Sequence, residues 1–181
     1  MHATICDLIT DLVQNSIEAG ANEITLDIEE TETNLNVVIA DNGKGMDAET
    51  LGKAKDPFWS NGHKHKHRKV GLGLPFLFQT AEMTGGTAGI ESEEGVGTTV
   101  TFNLEPKNVD LPVFGNFATA AATLMTYGFD GNLAIKRKRR NKEYEVSRNE
   151  LIQALGDLND VESLTLLKQF IASQEEELET L

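Results

Sequence analysis

A carboxylate and two glycines stand together where a hydrophobic stretch of the sequence ends. Asp41 follows Leu35–Ala40, whose pattern predicts a strand, and it opens the turn Asp-Asn-Gly-Lys-Gly-Met. A carboxylate at this point can form the floor of a pocket and accept a hydrogen bond from an exocyclic amine. Gly43 and Gly45 would let a flat ligand approach the backbone, because neither carries a side chain. The same residues, taken alone, are also compatible with an ordinary turn.

A second glycine-rich segment leads directly into a predicted helix. It contains Lys69, Gly71, Leu72, Gly73, Leu74 and Pro75. Pro75 suits the first turn of that helix, which would end at Gly85-Gly86. Backbone N–H groups at a helix start have no partner within the helix, so they favour a bound phosphate.

A third set of polar residues lies near the start of the chain. Asp11, Asn15 and Glu18 are spaced by four and three positions, so on a helix they project from one side. That helix is predicted over residues 4–19 by apolar residues at helical spacing: Ile5, Leu8, Ile9, Leu12, Val13 and Ile17. Taken alone, such a polar face is more typical of a solvated helix surface than of a site.

Periodicity predicts the elements that must position these residues. After the first helix come strands at 24–28 and 35–40, a short helix from Asp47, a loop over 55–71, the helix from Pro75, and strands near 87–92 and 98–104. Helix, two strands, helix and two strands in this order predict a two-layer α/β sandwich with a mixed sheet.

Pro106 and Pro112 indicate a boundary, so residues 1–106 are predicted as one domain and 107–181 as a small α+β extension. The extension is expected to contain a helix over 116–127, a hairpin of 133–139 and 143–146, and a helix opened by a capping box at 147–150. A last helix is predicted over 160–172, followed by a frayed acidic end at Glu175-Glu176-Glu177. No motif in this part points to a particular chemistry.

Composition narrows the classes of protein to consider. The net charge of −13 argues against a general nucleic-acid binder, which needs a basic face. No apolar run approaches the roughly 20 residues of a membrane-spanning helix, and no secretory signal is visible. Cys6 is the single cysteine, which excludes an internal disulfide and suits a reducing cytoplasm. Its apolar neighbours predict a small buried side chain.

Taken in order, these segments resemble the GHKL ATPase superfamily of gyrase, the ninety-kilodalton heat-shock chaperone, histidine kinases and the mismatch-repair ATPases. The resemblance covers residues 4–104 and is closest to stand-alone bacterial ATP-binding proteins of the histidine-kinase type. It implies a Bergerat-type fold with helices on one face of the sheet. The segments that carry it are an N box at 11–21, glycine boxes at 41–46 and 71–74, the phenylalanine segment Asp56-Pro-Phe-Trp59, and a Gly-Thr strand at 95–102.

The resemblance assigns the nucleotide's base to the first glycine box and the strand opposite. Asp41 would accept a hydrogen bond from the adenine amino group. Gly45 and Met46 would pack beside the ring, with Gly43 in the same turn, and Thr98 would support a direct or water-mediated contact to the ring edge.

For the phosphates, the resemblance implies Mg²⁺ coordinated by the amide oxygen of Asn15, a reasonable ligand for a hard cation. Gly71 and Gly73, within the box that includes Leu72 and Leu74, would offer backbone N–H groups, and Lys69 would be a charge partner. ATP and Mg²⁺ are therefore the expected cofactors.

Asp11 occupies the place of the superfamily's catalytic glutamate, one methylene shorter. Its reach toward the reacting phosphate is therefore reduced, and general-base catalysis requires close contact. Because the sequence begins close to the N box, we expect no upstream helical hairpin with a phosphorylatable histidine. Three functions remain open: a regulatory switch with slow hydrolysis, a protein kinase acting in trans, and an ATP sensor without turnover. The extension favours the first, with an unidentified protein partner or a homodimer.

Two basic segments have alternative interpretations. The segment with His63, His65 and His67 is predicted to be a cationic lid over the phosphates, with a metal site and a solvated loop as alternatives. The run from Lys136 to Arg140 could be a patch for nucleic acid or an acidic partner. We favour instead a basic hairpin balanced by the acidic tail.

Overall fold

A computed structural model describes residues 4–54 and 73–180 of the chain. In these residues one sheet contains the strands β1 (Glu23–Glu30), β2 (Leu35–Asp41), β3 (Thr87–Glu93), β4 (Gly97–Leu104), β5 (Asn132–Arg139) and β6 (Lys142–Ser147). Their order across the sheet is β3-β4-β2-β1-β5-β6. Neighbouring strands are antiparallel except β1 and β5, which are parallel, so the sheet is mixed as the sequence predicts.

Helices cover one face of this sheet. They are α1 (Ile5–Glu18), α2 (Ala48–Ala54), α3 (Gly73–Thr84), α4 (Phe117–Met125), α5 (Arg148–Leu155) and α6 (Val161–Glu179). Helix α1 lies between α3 and α4, and α6 packs on α4 and on the β5–β6 hairpin. The predicted two-layer sandwich with a mixed sheet and helices on one face is confirmed.

The core lies between the helices and alternate side chains of the strands. One row across the sheet consists of Ile90, Val100, Ile39, Leu26 and Ile135, all buried. Residues of opposite parity, such as Asp27, Thr101 and Glu143, face away from the helices and are exposed. This alternation is the period-two pattern from which the strands are predicted.

Local signals account for the position of α1. The hydroxyl oxygen of Thr4 accepts the N–H of Asp7 at 3.1 Å, and the Asp7 carboxylate accepts the N–H of Thr4 at 2.9 Å. This reciprocal capping box opens the helix. Gly20, with φ of +79°, lies just beyond its end. The helix predicted over residues 4–19 is therefore confirmed.

The C-terminal elements extend the same sheet, because β5 pairs with β1 along its whole length. The hairpin and the capping box of Ser147 and Glu150 are confirmed. The division into domains 1–106 and 107–181 stays a prediction. No helix in residues 4–54 and 73–180 combines the length and the apolar character that crossing a membrane requires.

The predicted end of the last helix is wrong. Helix α6 continues through Glu175-Glu176-Glu177 to Glu179 instead of fraying after residue 172. Leu178 is buried there, and the Tyr144 hydroxyl donates a hydrogen bond to Glu175 at 2.7 Å. The contact of Glu175 comes from the hairpin, so the local sequence of the helix does not predict it.

Candidate functional site

Polar side chains form the last row on the helix-facing side of the sheet. Ile24 of β1, Asp41 of β2, Thr98 of β4 and Ser92 of β3 are direct neighbours across the four strands. The next row inward is apolar, so these three polar groups lie at the edge of the buried core. The structure therefore brings Asp41 and Thr98 together, as the resemblance implies.

The Asp41 carboxylate is oriented by two donors. The hydroxyl of Ser16, a buried residue of α1, donates to Oδ2 at 2.6 Å. The backbone N–H of Gly43 donates to Oδ1 at 2.8 Å. Each oxygen of an ionised carboxylate can accept more than one hydrogen bond, so Asp41 retains acceptor capacity. None of the ion pairs in the described residues includes Asp41.

The turn after Asp41 is anchored to the ends of α1 and β1. The side-chain oxygen of Asn42 accepts the N–H groups of Asn22 and Glu23, each at 3.0 Å. The N–H of Lys44 donates to the carbonyl of Ala19 at 2.9 Å. These bonds hold the turn against the end of the helix that carries Ser16, which stabilises the geometry around the carboxylate.

Two glycines allow this turn to contact the β3–β4 turn. Gly45 has φ of +63°, and a Cβ added there would lie 1.9 Å from the carbonyl oxygen of Glu93. Gly97 has φ of +144°, and an added Cβ would lie 1.9 Å from the carbonyl oxygen of Asp41. The structure therefore explains both glycines by backbone packing, whereas the approach of a ligand to Gly43 and Gly45 stays a prediction.

Ser92 links the same two turns through its side chain. Its Oγ accepts the N–H of Met46 at 2.9 Å and lies 3.0 Å from the carbonyl oxygen of Gly97, to which it can donate. It is also 2.8 Å from the Thr98 hydroxyl, with either oxygen able to donate. Met46 is half-buried and packs against the core.

The start of α3 lies against the polar face of α1. A Cβ added to Gly73 would be 3.4 Å from the Cβ of Asp11 and 3.4 Å from Cδ2 of Leu12. Asp11 and Asn15 are half-buried on this side of α1, whereas Glu18 is exposed. Helix α1 therefore contacts both parts of the candidate site. Its Asp11 lies near the beginning of α3, and its Ser16 contacts the carboxylate of Asp41.

Some predicted site residues lie outside the described residues. These are Lys69, Gly71 and Leu72 of the second glycine box, Phe58 and Trp59, and the three histidines at 63, 65 and 67. Leu74 is described, half-buried and packed on the core. Within residues 4–54 and 73–180, no three His, Cys, Asp or Glu side chains are placed to hold a metal ion.

Sequence reasoning missed Ser16 and Ser92. Ser92 follows Ala88 and Ile90 at alternate positions of β3, so its parity already places it on the core-facing side. A serine at such a position, next to a turn, is a signal that could have been used. Ser16 lies four residues after Leu12 and three after Val13, so helical spacing places it on the buried side of α1, and its contact with Asp41 shows its role.

The basic run of the hairpin is neutralised by acidic residues, as favoured from the sequence. Arg137 is buried and pairs with Glu30 at 2.6 Å and Glu175 at 3.4 Å. Arg139 lies 3.2 Å from Glu179 at the end of α6. The other three cations also have carboxylate partners: Lys136 with Glu145, Lys138 with Glu29, and Arg140 with Glu32.

The prediction of a buried Cys6 is confirmed. Cys6 is 3% exposed. Burial raises the pKa of its thiol from 9.0 to about 12, and the positive charge of Arg137 opposes this shift. A thiol with so high a pKa is protonated at neutral pH and is a poor nucleophile.

Comparison with known proteins gives a family and a fold. The family model described as "Histidine kinase-, DNA gyrase B-, and HSP90-like ATPase" matches residues 3–108. Heme sensor protein HssS of Staphylococcus saprophyticus is 33% identical over 112 residues, 60% of this chain and 23% of the relative. Sensor histidine kinase WalK of Bacillus subtilis is 32% identical over 104 residues, 56% of this chain and 17% of the relative.

One solved structure matches most of the chain. The N-terminal domain of a DNA repair protein superposes with a TM-score of 0.57 at 14% identity, covering 90% of this chain and 59% of that one. At this identity the match concerns the fold alone. The chain spans less than a quarter of the length of the two sequence relatives, at 23% and 17%.

Proposed function

Because the chain belongs to the family of histidine kinase-, DNA gyrase B- and HSP90-like ATPases and has an ATP-binding domain of the histidine-kinase type, we propose that it is an ATP-dependent regulatory switch with slow hydrolysis. It would bind ATP with Mg²⁺ and serve signal transduction in the cytoplasm through a protein partner. The observation that carries this proposal is the Asp41 carboxylate, which is oriented by Ser16 and Gly43 and is without a cationic partner among the described residues.

The chemistry of this donor set fits an adenine base. An ionised carboxylate only accepts hydrogen bonds, and the adenine amino group only donates them in this geometry. In our proposal Asp41 accepts from that amine, Thr98 lies beside it on β4, and Met46 packs against the ring. Gly43 and Gly45 shape the adjoining turn.

The phosphates would lie toward α3. The first residue of that helix, Gly73, is adjacent to Asp11, one helical turn from Asn15. Asn15 would supply an amide oxygen to Mg²⁺, which neutralises phosphate charge when bound. Backbone N–H groups of Gly71 and Gly73, in the box with Leu72 and Leu74, would bind phosphate oxygens. Lys69 would add a positive charge.

The switch proposal depends on what α1 connects. At one end of the helix Ser16 contacts Asp41. At its other end the N–H groups of Ile5 and Cys6 donate to the carbonyls of Val113 and Phe114 at 2.9 and 2.8 Å. A shift of α1 on nucleotide binding would therefore reach the segment that leads into α4 and the rest of residues 107–181. That segment is our proposed surface for a partner protein or a second copy.

A protein kinase acting in trans is the second function, and the name of one relative, a sensor histidine kinase, favours it. An ATP sensor without turnover is the third. The three functions differ only in the fate of the γ-phosphate. Where that phosphate is released or transferred, Asp11 is the proposed general base. Its shorter side chain, relative to glutamate, supports slow turnover in the first function.

ATP binding is tested by titration of the purified chain with ATP, with and without Mg²⁺. We expect Asp41→Asn to weaken binding at least about 100-fold, because the amide can place a donor against the adenine amine; this corresponds to about 2.7 kcal/mol. Asp27→Asn, an equal change on the exposed face of the same sheet, is the control and should bind as wild type. Asn15→Ala should remove the effect of Mg²⁺. Unchanged ATP affinity in Asp41→Asn would exclude the pocket.

Turnover is followed with γ-labelled ATP in wild type, Asp11→Asn and the control Glu18→Gln, an exposed position on the same side of α1. The switch predicts slow release of free phosphate that Asp11→Asn removes and Glu18→Gln retains. Label transferred to an added protein would favour the kinase. Binding with no release and no transfer would favour the sensor.

A further inference from the structure

We propose that Ser92 is a positioning residue that turns the Thr98 hydroxyl into a hydrogen-bond acceptor and so increases the preference of the site for adenine over 6-oxopurines. This inference rests on the proposed ATP site. It concerns a side chain that acts through Thr98 and needs no contact of its own with the nucleotide.

The hydrogen bonds around Ser92 determine the direction of each donor. A serine hydroxyl has one proton to donate and two lone pairs that accept. The N–H of Met46, 2.9 Å away, can only donate, so it occupies one lone pair. The carbonyl of Gly97, 3.0 Å away, can only accept, so it takes the proton of Ser92. The remaining lone pair then accepts from Thr98 at 2.8 Å.

This arrangement satisfies all three contacts at once. In the alternative, Ser92 donates to Thr98 and leaves the Gly97 carbonyl without that proton. Losing this hydrogen bond at a part-buried carbonyl is unfavourable, so we assign the first arrangement. The Thr98 hydroxyl then has no proton left for the pocket and presents lone pairs only.

The consequence for the ligand follows from the register of the strands. Thr98 lies directly opposite Asp41, where the β-carbons of paired residues are about 5 Å apart. With Ser92 in place, the pocket therefore presents two adjacent acceptors, the Asp41 carboxylate and the Thr98 oxygen. An exocyclic amine has two N–H groups and can satisfy both. A 6-oxo group is itself an acceptor, so it could form a hydrogen bond with neither the Asp41 carboxylate nor the Thr98 oxygen.

Removing the Ser92 hydroxyl would free the Thr98 proton. In Ser92→Ala the Thr98 hydroxyl could rotate and donate to an oxo group. The discrimination against 6-oxopurines would then decrease even though neither residue nearest the base is changed. A purely structural role for Ser92 would instead weaken the binding of every nucleotide by a similar factor.

The test measures the dissociation constants of ATP and inosine triphosphate for the full chain; their bases differ in the group at position 6 and in the proton that hypoxanthine carries on N1. We expect Ser92→Ala to lower the ratio of inosine triphosphate to ATP dissociation constants roughly tenfold, about one hydrogen bond. Ser92→Thr retains the hydroxyl and should keep the wild-type ratio. Equal weakening of both nucleotides in Ser92→Ala, with the ratio unchanged, would overturn the inference.

A double-mutant cycle separates this role from a general loss of structure. Thr98→Val removes the hydroxyl that Ser92 orients, so adding Ser92→Ala to it should no longer change the ratio. If Ser92→Ala changes the ratio equally in wild type and in Thr98→Val, the inference is wrong, although the proposed ATP binding is unaffected. If wild type binds neither nucleotide, the proposed function fails first, and this inference fails with it.

Discussion

Two polar regions interrupt the helix-facing side of the same sheet, and they are built differently. At one end Asp41 accepts hydrogen bonds from the Ser16 hydroxyl and the Gly43 N–H, and the hydroxyls of Ser92 and Thr98 are hydrogen-bonded to each other. Toward the other, Arg137 is surrounded by the carboxylates of Glu30 and Glu175 and lies 4.8 Å from the centre of the Phe114 ring.

The two regions differ in whether a charge is neutralised within the described chain. Arg137 has two carboxylate partners and an aromatic face, and its guanidinium also donates to the carbonyl of Lys138 at 3.3 Å. Asp41 is oriented by neutral donors, and no cation of the described residues pairs with it. A charge that is oriented but not neutralised is available to a ligand, whereas a neutralised one contributes to the stability of the fold.

The largest expected effect is on the stability of the Arg137 region. Arg137→Met keeps much of the side-chain volume but leaves Glu175 without its cation and Glu30 with Arg139 alone, at 3.6 Å, so we expect a loss of about 3–5 kcal/mol in the free energy of unfolding. Urea denaturation measures it. Lys138→Met, next along β5 in an exposed pair with Glu29, is the control, with an expected loss below about 1 kcal/mol. Equal losses in the two variants would contradict the distinction.

At Asp41 we expect a small effect on the stability of the free protein and a large effect on its stabilisation by ATP. Without nucleotide, the free energy of unfolding of Asp41→Asn should lie within about 1 kcal/mol of wild type, since one hydrogen bond changes. ATP at 100 times the wild-type dissociation constant should add about 2.7 kcal/mol to wild type and at most about 0.4 kcal/mol to Asp41→Asn. Denaturation curves with and without ATP measure both quantities. Loss of stability without ligand, comparable to that of Arg137→Met, would show that Asp41 is structural too.

A smaller effect concerns Cys6, which lies on α1 within the electrostatic influence of Arg137 and Glu175. Burial raises the pKa of this thiol from 9.0 to about 12, so the folded state favours the protonated form. Its contribution to stability is complete below pH 9 and is lost as the pH rises toward 12. At pH 10 the loss is about 1.4 kcal/mol.

The comparison variant is Cys6→Ala, measured by urea denaturation at pH 8 and at pH 10. Its free energy of unfolding should fall less than that of wild type over this interval, by about the same 1.4 kcal/mol. Other titrating groups affect both proteins alike, so the difference isolates the thiol. Parallel declines would mean that the thiol ionises as easily in the folded chain as in the unfolded one.

The elements were largely predictable because their signals are local. Strand alternation indicated β1, β2 and the hairpin, and the Thr4 and Ser147 capping boxes open α1 and α5. The glycine boxes and the polar face of α1 could be recognised from residue types and spacing. Ser92 and Ser16 were missed because their roles depend on contacts with residues distant in the sequence, Met46 and Asp41.

The sequence by itself determined the family, the order of helices and strands, and the positions of Asp41 and Thr98, because each depends on nearby residues. Only the tertiary structure decided which charges are neutralised. Glu30 and Arg137 are 107 residues apart, and Ser16 and Asp41 are 25 apart, yet both pairs are in hydrogen-bond contact. The physical reason is strand register together with the packing of α1 and α6 on the sheet. Together these place Arg137 among carboxylates and Asp41 among neutral donors, and no local pattern distinguishes these two environments.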